Sequence, residues 1–161
     1  MFNIVLVEPQ IPPNTGNIAR LCAATNSTLY LIGKLGFSLE DKYLKRAGLD
    51  YWNQVKIIHL PTLEDLCSKG ENPNFFYLST KVKKLYTEVN YKKNDFLVFG
   101  KETKGLPEDL LKNNPATAVT IPMYNNKVRS LNLATSVGIV LYEAIRQLKP
   151  NLQIANATYN L

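Results

Sequence analysis

Six short hydrophobic runs, separated by stretches of helical spacing, constrain the fold of this 161-residue chain more than any other feature. The runs are apolar throughout rather than alternating, which is typical of parallel strands covered by helices on both faces. The sequence therefore predicts an α/β fold with a mostly parallel sheet flanked by helices. The predicted strands are Asn3–Val7, Thr28–Ile32, Val55–Leu60, Phe75–Ser79, Phe96–Phe99 and Ala118–Ile121.

The stretches between the runs predict five helices. The last is the clearest, because apolar residues recur at helical spacing from Leu131 to Leu148 and Pro150 ends the pattern. Pro107 suits a helix start because its missing N–H costs nothing there, and Thr62 suits one because an aspartate three residues on completes a capping box. The predicted helices are Gly16–Thr25, Asp41–Ala47, Thr62–Lys69, Pro107–Asn113 and Leu131–Leu148.

Size and composition indicate one domain, residues 1–161, in a reducing cytoplasm. The polar tail from Asn151 to Leu161 is expected to be loosely held. No apolar run is long enough for a membrane span, and the first residues lack the basic start of a signal peptide. Two cysteines, Cys22 and Cys67, and one histidine, His59, are too few for a disulfide scaffold or a typical zinc site. We therefore expect no metal and no membrane partner, core or surface thiols, and a buried or edge histidine.

The positive charge of the chain favours a polyanionic partner. The net charge is +6, and the excess lies in clusters with tyrosines among or near them. Cationic side chains contact phosphates, and aromatic faces stack on unpaired bases. A basic, tyrosine-rich surface also arises from compositional bias alone, so RNA binding and a plain solvated surface both remain open. The clusters are Lys42, Lys45 and Arg46; Lys81, Lys83 and Lys84; Lys92 and Lys93; Lys101 and Lys104; and Lys127 and Arg129.

The first of three segments that carry chemistry follows the first strand. The prolines of its connector make it stiff, and they predict that no helix begins before Pro13. Asn14 or Thr15 can then cap a helix, and Gly16 permits close approach of backbone or substrate. Arg20 would lie about one turn into that helix, where a guanidinium suits a phosphate-bearing polymer. The alternative is an ordinary capped helix with a solvated arginine.

A second segment lies between the fifth predicted strand and the helix begun by Pro107. Ligands of open α/β sheets gather at the carboxyl ends of strands, so this loop is well placed to form a site. Gly100 and Gly105 would let backbone groups contact a ligand, and Glu102 supplies one carboxylate. The alternative is a tight strand-to-helix turn with a surface Glu–Lys pair.

The third segment leads from the sixth strand through Pro122 and a polar loop with Arg129 into the last helix. Ser130 can cap that helix, and for Ser130 taken alone capping is favoured over catalysis. Asn132 is a polar residue in the first turn of an otherwise apolar helix, which favours a binding role. The chain has no GxGxxG after its first strand and no GxxxxGK[ST], so ordinary dinucleotide and nucleoside-triphosphate sites are not expected.

Taken in order, these three segments resemble the three motifs of the SPOUT RNA methyltransferases. More narrowly, Pro9–Ile18 and Arg46–Tyr51 resemble the small bacterial tRNA (cytidine/uridine) 2′-O-methyltransferases that modify the wobble nucleotide. The resemblance covers residues 2 to about 149. The residues that carry it are Asn14, Gly16, Asn17 and Arg20; Phe99, Gly100, Glu102, Gly105, Leu106 and Pro107; and Ile121, Pro122 and Met123 followed by Ser130, Leu131, Asn132, Leu133 and Ala134.

The resemblance implies properties that residue patterns do not. In this family the C-terminal part threads through a loop as a deep trefoil knot, which forms the S-adenosylmethionine pocket. The family works as a homodimer, with the last helix and the helix of the first motif at or near the interface. The implied activity is methylation of the wobble pyrimidine ribose in the tRNA anticodon loop, with S-adenosylhomocysteine as the product. A ribosomal RNA 2′-O-methyltransferase and a non-catalytic RNA-binding module are the alternatives.

The resemblance also assigns roles to individual side chains. Cofactor contacts fall on Leu78, Gly100, Ile121, Met123, Ser130 and Leu131, and catalysis or RNA placement falls on Asn14, Arg20, Glu102, Ser130 and Asn132. Arg20 occupies the position of the family's activating residue. Because a guanidinium is a poor proton acceptor, we expect it to clamp phosphate and stabilise the developing alkoxide, while Glu102 or water accepts the proton. The loop between Met123 and Arg129 is about one residue longer than expected, so no contact inside it is carried over.

Overall fold

Six parallel strands form the centre of the molecule. The computed structural model describes residues 1–38, 54–67 and 73–148. Across the sheet the strands follow the order β3-β2-β1-β5-β4-β6, and every pair is parallel. The prediction of an α/β fold with a mostly parallel sheet is confirmed. The strands are β1 (Asn3–Val7), β2 (Thr28–Ile32), β3 (Ile57–Leu60), β4 (Phe75–Leu78), β5 (Phe96–Phe99) and β6 (Ala118–Val119).

Three strands have the predicted bounds, and three are shorter than predicted. The shortest, β6, pairs with β4 over only two residues. The next residue, Thr120, leaves β4 and bonds instead to the segment before β5: its N–H donates to the Lys84 carbonyl at 2.8 Å, and its carbonyl accepts from Tyr86 N at 2.9 Å. The chain then reaches Pro122, which has no N–H for a ladder, so the predicted strand to Ile121 ends early.

The first helix, α1 (Pro12–Thr25), begins earlier than predicted. The expectation that no helix begins before Pro13 is wrong, because prolines at the first two helical positions lose no hydrogen bond and their fixed φ already suits a helix. The expected cap is also wrong. Ile11 is the N-cap residue and makes no side-chain cap, while Asn14 and Thr15 lie inside the helix and are buried.

The other helices are α2 (Glu64–Cys67), α3 (Glu108–Asn113) and α4 (Leu133–Gln147). The capping box before α2 is confirmed: Thr62 Oγ1 accepts from Asp65 N at 3.3 Å, and Thr62 N donates to the Asp65 carboxylate at 3.1 Å. The expectation that Ser130 caps α4 is wrong. Asn132 is the cap, and its Oδ1 accepts from the N–H groups of Ala134 and Thr135. The predicted helix Asp41–Ala47, the Arg46–Tyr51 stretch, the end of the predicted Thr62–Lys69 helix and the tail Asn151–Leu161 lie outside the described residues.

Helices cover both faces of the sheet. On one face α1 and α4 pack together against alternate strand residues, among them Ile4 and Leu6. On the other face α2 and α3 pack against the residues between, among them Val5 and Val98. Every position of the central strands β1 and β5 therefore lies against a helix layer or near it, which is why their sequences are apolar runs without alternation. None of the helices in the described ranges is long and apolar enough to cross a membrane.

Candidate active site

A cleft of about 760 Å³ opens at the carboxyl ends of β4, β5 and β6. Its volume lies within the usual range of small-molecule pockets, roughly 300–1,000 Å³. Four stretches of chain build it: the start of α1, the residues after β4, the loop after β5, and the segment from β6 into α4. The lining residues are Ile11, Asn14, Leu78, Ser79, Thr80, Lys81, Phe99, Gly100, Lys101, Glu102, Thr103, Lys104, Gly105, Ile121, Met123, Arg129, Ser130, Leu131, Asn132, Leu133 and Ser136.

The fold brings together nine of the ten residues to which the family resemblance assigns a role. They line the cleft: Asn14, Leu78, Gly100, Glu102, Ile121, Met123, Ser130, Leu131 and Asn132. Arg20 does not line it. Because α1 begins at Pro12, Arg20 lies about two turns into the helix rather than one, on its exposed side.

A chain of hydrogen bonds, which we call the amide relay, joins the three segments at this cleft. The Glu102 carboxylate accepts from the backbone N–H groups of Gln10 (2.9 Å) and Ile11 (3.2 Å) and from Asn14 Nδ2 (3.0 Å). Asn14 Oδ1 in turn accepts from Asn132 Nδ2 at 2.9 Å. Asn132 Oδ1 then caps the first turn of α4. The relay thus runs from the loop after β5 through α1 to the start of α4.

The amide relay has only one possible polarity. An ionised carboxylate can only accept, so Asn14 must turn its NH₂ toward Glu102 and its carbonyl oxygen toward Asn132. Asn132 must then present its NH₂ to Asn14 and its oxygen to the N–H groups of α4. Three donors occupy the oxygens of Glu102 in this arrangement. Its carboxylate is therefore better placed to hold the first segment than to accept a substrate proton.

Two further contacts flank Glu102 and tie the same loop to the connector before α1. Lys101 forms an ion pair with Glu8, and Thr103 Oγ1 donates to Gln10 Oε1 at 2.9 Å. Three consecutive loop residues, 101 to 103, therefore all bond to residues 8 to 14. The loop after β5 and the start of α1 are fixed to one another on this side of the cleft.

Gly100 lies where the loop after β5 closes on itself. A Cβ at Gly100 would lie 2.1 Å from the carbonyl carbon of Gly105 and 2.3 Å from Leu106 N. Gly105 N donates to the Lys101 carbonyl at 2.8 Å, which closes the turn, and Gly105 has a φ of +69°. The close approach that the sequence led us to expect at Gly100 is thus made by the chain's own backbone.

Cationic side chains stand around the cleft. Lys81 pairs with Glu108 at 2.7 Å, and its hydrogen bond and charge lower the pKa of the Glu108 carboxyl. Lys104 and Arg129 are exposed at the cleft. Positive charge at a small-molecule cleft suits a ligand or substrate that carries phosphate or carboxylate. Sequence reasoning named Lys81 only as part of a basic cluster and missed Ser79 and Thr80 as cleft residues, although their position at the end of the fourth predicted strand was the available signal.

Cys22 and His59 lie away from the cleft, and neither lines it. Cys22 is buried in the core between α1 and the sheet, and this burial raises its pKa to about 12. His59 lies on the edge strand β3, as expected, with Nε2 2.9 Å from the Gly33 carbonyl oxygen. Within residues 1–38, 54–67 and 73–148, no three His, Cys, Asp or Glu side chains gather as a metal site.

Comparison of the whole chain with known proteins gives information that the geometry of the cleft does not. The sequence profile of the SpoU rRNA Methylase family matches residues 1–142. A tRNA (cytidine(34)-2′-O)-methyltransferase of Methylovorus glucosotrophus is 47% identical over 148 residues, which cover 91% of this chain and 96% of that protein.

Two solved structures share the fold. One, described as "Structural insights into the 2-OH methylation of C/U34 on tRNA", superposes with a TM-score of 0.86 and 42% identity over 92% of this chain and 96% of its own. The other is an AdoMet-bound rRNA methyltransferase from Sinorhizobium meliloti, with a TM-score of 0.80 and 25% identity over 91% of this chain and 56% of its own.

Proposed function

The chain belongs to the SpoU rRNA methylase family, and from this membership and its cleft we propose that it methylates the wobble-position pyrimidine ribose of tRNA at the 2′-oxygen, with S-adenosylmethionine as methyl donor. The observation that carries the proposal is the amide relay, which brings residues of three distant segments together at one cleft. The choice of tRNA is supported by the Methylovorus relative and by the first of the two solved structures, whose name and description concern position 34 of tRNA.

The residues at the cleft fit S-adenosylmethionine. Leu78 and Phe99 are buried at the ends of β4 and β5, and Ile121 and Met123 are half-buried beside them, so an apolar wall is available for an adenine ring. Backbone groups of the turn at Gly100 and hydroxyls such as Ser130 supply polar partners. We assign cofactor contacts to Leu78, Gly100, Ile121, Met123, Ser130 and Leu131. When bound, the cofactor supplies an electrophilic methyl group, and no metal is needed.

The protein's own contribution to the reaction is alignment. A ribose hydroxyl must approach a methyl group in line, and fixing that geometry accounts for a large part of the rate in such reactions. Asn14, Glu102 and Asn132 hold the loop after β5, the start of α1 and the start of α4 in one arrangement. Since both oxygens of Glu102 already accept hydrogen bonds from the first segment, we assign proton acceptance to water rather than to this carboxylate.

Arg20 stays the proposed clamp for the substrate phosphate and the 2′-oxygen, and we propose that it acts from a second copy of the chain. Arg20 is exposed on α1 and does not line the cleft of its own chain. Pro13, Asn17 and Ala24 are exposed at helical spacing on the same side, so this face of α1 is available to a partner. We propose a homodimer packed through α1 and α4 in which Arg20 reaches the partner's cleft.

Two further parts of the proposal rest on the family resemblance. We propose that the segment from β6 into α4 threads as a C-terminal trefoil knot, and the lining of one cleft by that segment and the loop after β5 supports this. We also propose that the enzyme acts in the cytoplasm, where its tRNA substrate is found.

The substrate assignment is tested by methyl transfer in vitro and by the tRNA of cells that lack the protein. We expect the purified enzyme to methylate total tRNA and an anticodon stem-loop but not ribosomal RNA. Mass spectrometry of tRNA from the deletion strain should show one wobble-ribose methyl missing. An unchanged wobble ribose, or transfer to ribosomal RNA alone, would overturn the assignment.

A further inference from the structure

The loop between β6 and α4 presents one aromatic ring almost entirely to solvent. Tyr124 is 99% exposed. The residues on either side of the segment 124–128 line the cleft: Met123 precedes this segment, and Arg129 and Ser130 follow it. Tyr124 therefore stands at the mouth of the proposed methyl-transfer site rather than on a remote surface.

A closed turn follows this ring. Lys127 N donates to Asn125 Oδ1 at 3.0 Å, and Val128 N donates to the Asn125 carbonyl at 3.2 Å. An asparagine that bonds the backbone two residues on is a common way to close a turn. The chain from 125 to 128 is thus folded back on itself, and the Tyr124 ring projects from its start.

Two residues that follow Tyr124 in the same segment carry positive charge. Lys127 and Arg129 are both exposed, and neither forms an ion pair with any residue that the structure describes. The apolar side chains nearby are smaller and only partly exposed, Val128 at 46% and Leu131 at 36%. An exposed aromatic face followed by two cationic residues in the same loop suits an unpaired nucleotide, whose base stacks and whose phosphate is anionic, better than it suits an apolar protein surface.

We propose that Tyr124 stacks on an unpaired base next to the nucleotide whose ribose enters the cleft, while Lys127 contacts the phosphate backbone. This inference rests on the proposed function, because it places single-stranded RNA at the cleft. Every base has a π-face, so stacking of this kind tolerates different sequences. Tyr124 should therefore contribute to the affinity for RNA and leave the affinity for S-adenosylmethionine unchanged.

The experiment measures two affinities on the same variants. Binding of a fluorescently labelled anticodon stem-loop is measured by anisotropy for Tyr124→Ala, Tyr124→Leu and Tyr124→Phe, and S-adenosylmethionine binding is measured by calorimetry. We expect RNA binding to weaken about fivefold to a hundredfold for the alanine variant, to recover little with leucine, and to be nearly normal with phenylalanine.

A salt titration tests the phosphate contact. Lys127→Ala should lower the slope of log affinity against log salt by about one. Lys56→Ala is the matched control, because Lys56 is exposed before β3, at the sheet edge opposite the cleft, and should leave the slope unchanged.

The outcomes separate this inference from the proposed function. If the wild-type enzyme methylates the stem-loop and Tyr124→Ala binds it equally well, the stacking role is wrong while the function stands. If Tyr124→Ala loses S-adenosylmethionine affinity or dissociates the protein into monomers, the ring serves the cofactor or a partner copy, and the inference is overturned. If no RNA is methylated by the wild type, the function fails, but the binding measurement still decides the role of Tyr124.

Discussion

At the scale of single residues, one acceptor-only side chain determines how two amides face. Glu102 orients Asn14, and Asn14 orients Asn132, because each group can satisfy its neighbour in only one way. A carboxylate that receives three N–H donors serves this purpose without taking up a proton. The amide relay therefore attributes the importance of Glu102 to its charge and its geometry, not to general-base chemistry.

The charge-exchange pair Glu102→Gln and Asn14→Asp tests this role. In Glu102→Gln the new NH₂ must face at least one group that already donates a hydrogen bond, which leaves that donor without an acceptor. In Asn14→Asp two carboxylates lie side by side and repel each other. Each change alone should therefore lower kcat about tenfold to a hundredfold. In the double variant, the new amide at position 102 can donate to the new carboxylate at position 14, and that carboxylate can still accept from Asn132. Only the Ile11 N–H, which bonds to the same Glu102 oxygen as Asn14, loses its acceptor. Steady-state methyl transfer should recover at least about tenfold relative to either single variant.

The control for this cycle is Glu108→Gln. Glu108 is also an acidic partner of a cleft residue, Lys81, but both side chains are exposed, and its loss should change kcat less than about threefold. A proton-accepting Glu102 would behave differently. The double variant would then be as slow as Glu102→Gln, and both would lose the acidic limb of the pH–rate profile.

The members of the amide relay could be identified from the sequence, but their linkage could not. Asn14 was singled out as a candidate helix cap and by the family motif, and Asn132 as a polar residue in the first turn of an apolar helix. Their hydrogen bond joins residues 118 positions apart, and no local pattern encodes such a distance. The cap of α4 was misplaced for a related reason: Ser130 and Asn132 are both good caps, and only the backbone geometry selects Asn132.

At the scale of elements, the loop after β5 depends on glycine in two different ways. At Gly100 the space for a side chain is filled by the backbone of Gly105 and Leu106, whereas at Gly105 the space is open and only the positive φ opposes a side chain. Gly100 is therefore required by packing and Gly105 by conformation.

Alanine substitutions should separate these two requirements. Gly100→Ala must open the turn between residues 100 and 106, so we expect S-adenosylmethionine affinity to fall by more than about tenfold. Gly105→Ala is the matched variant, and its left-handed backbone should cost about 1 kcal/mol of unfolding free energy while the affinity stays within a few-fold. Urea unfolding and calorimetry on both variants measure these quantities. Equal affinity losses in the two variants would show that the closed turn does not shape the cofactor pocket.

The elements themselves were predicted well where burial dictates the residue pattern. β1, β2 and β5 lie in the middle of the sheet, and their apolar runs had the right bounds. The errors fall at ends that pairing or backbone conformation decides, such as β6, which leaves the sheet at Thr120. The start of α1 was missed because prolines that block a helix interior are favourable in its first turn.

At the scale of the whole molecule, one chain holds every predicted site residue at its cleft except Arg20. The strand order could not have been read from the sequence, since β1 lies between β2 and β5 and the runs carry no signal of their neighbours. The same limit applies to Arg20: the sequence placed it on the first helix, one turn too close to the helix start, and could not show that it lies outside the cleft. Its exposure on α1 makes the proposed dimer a testable explanation.

Mixing two inactive variants tests whether Arg20 acts across the dimer. One chain carries Arg20→Ala with an intact cleft, and the other carries Gly100→Ala, which we expect to lose cofactor binding but keeps Arg20. If Arg20 reaches the partner's cleft, each mixed dimer has one complete site out of two. Co-expression of the two chains in equal amounts makes about half of the dimers mixed, so it should restore about one quarter of the wild-type rate. Co-expression of Gly100→Ala with Glu102→Gln is the control, since no mixed dimer of that pair contains an unaltered cleft. If the Arg20→Ala mixture stays as inactive as its parents although size-exclusion chromatography shows dimers, Arg20 acts within its own chain or not at all.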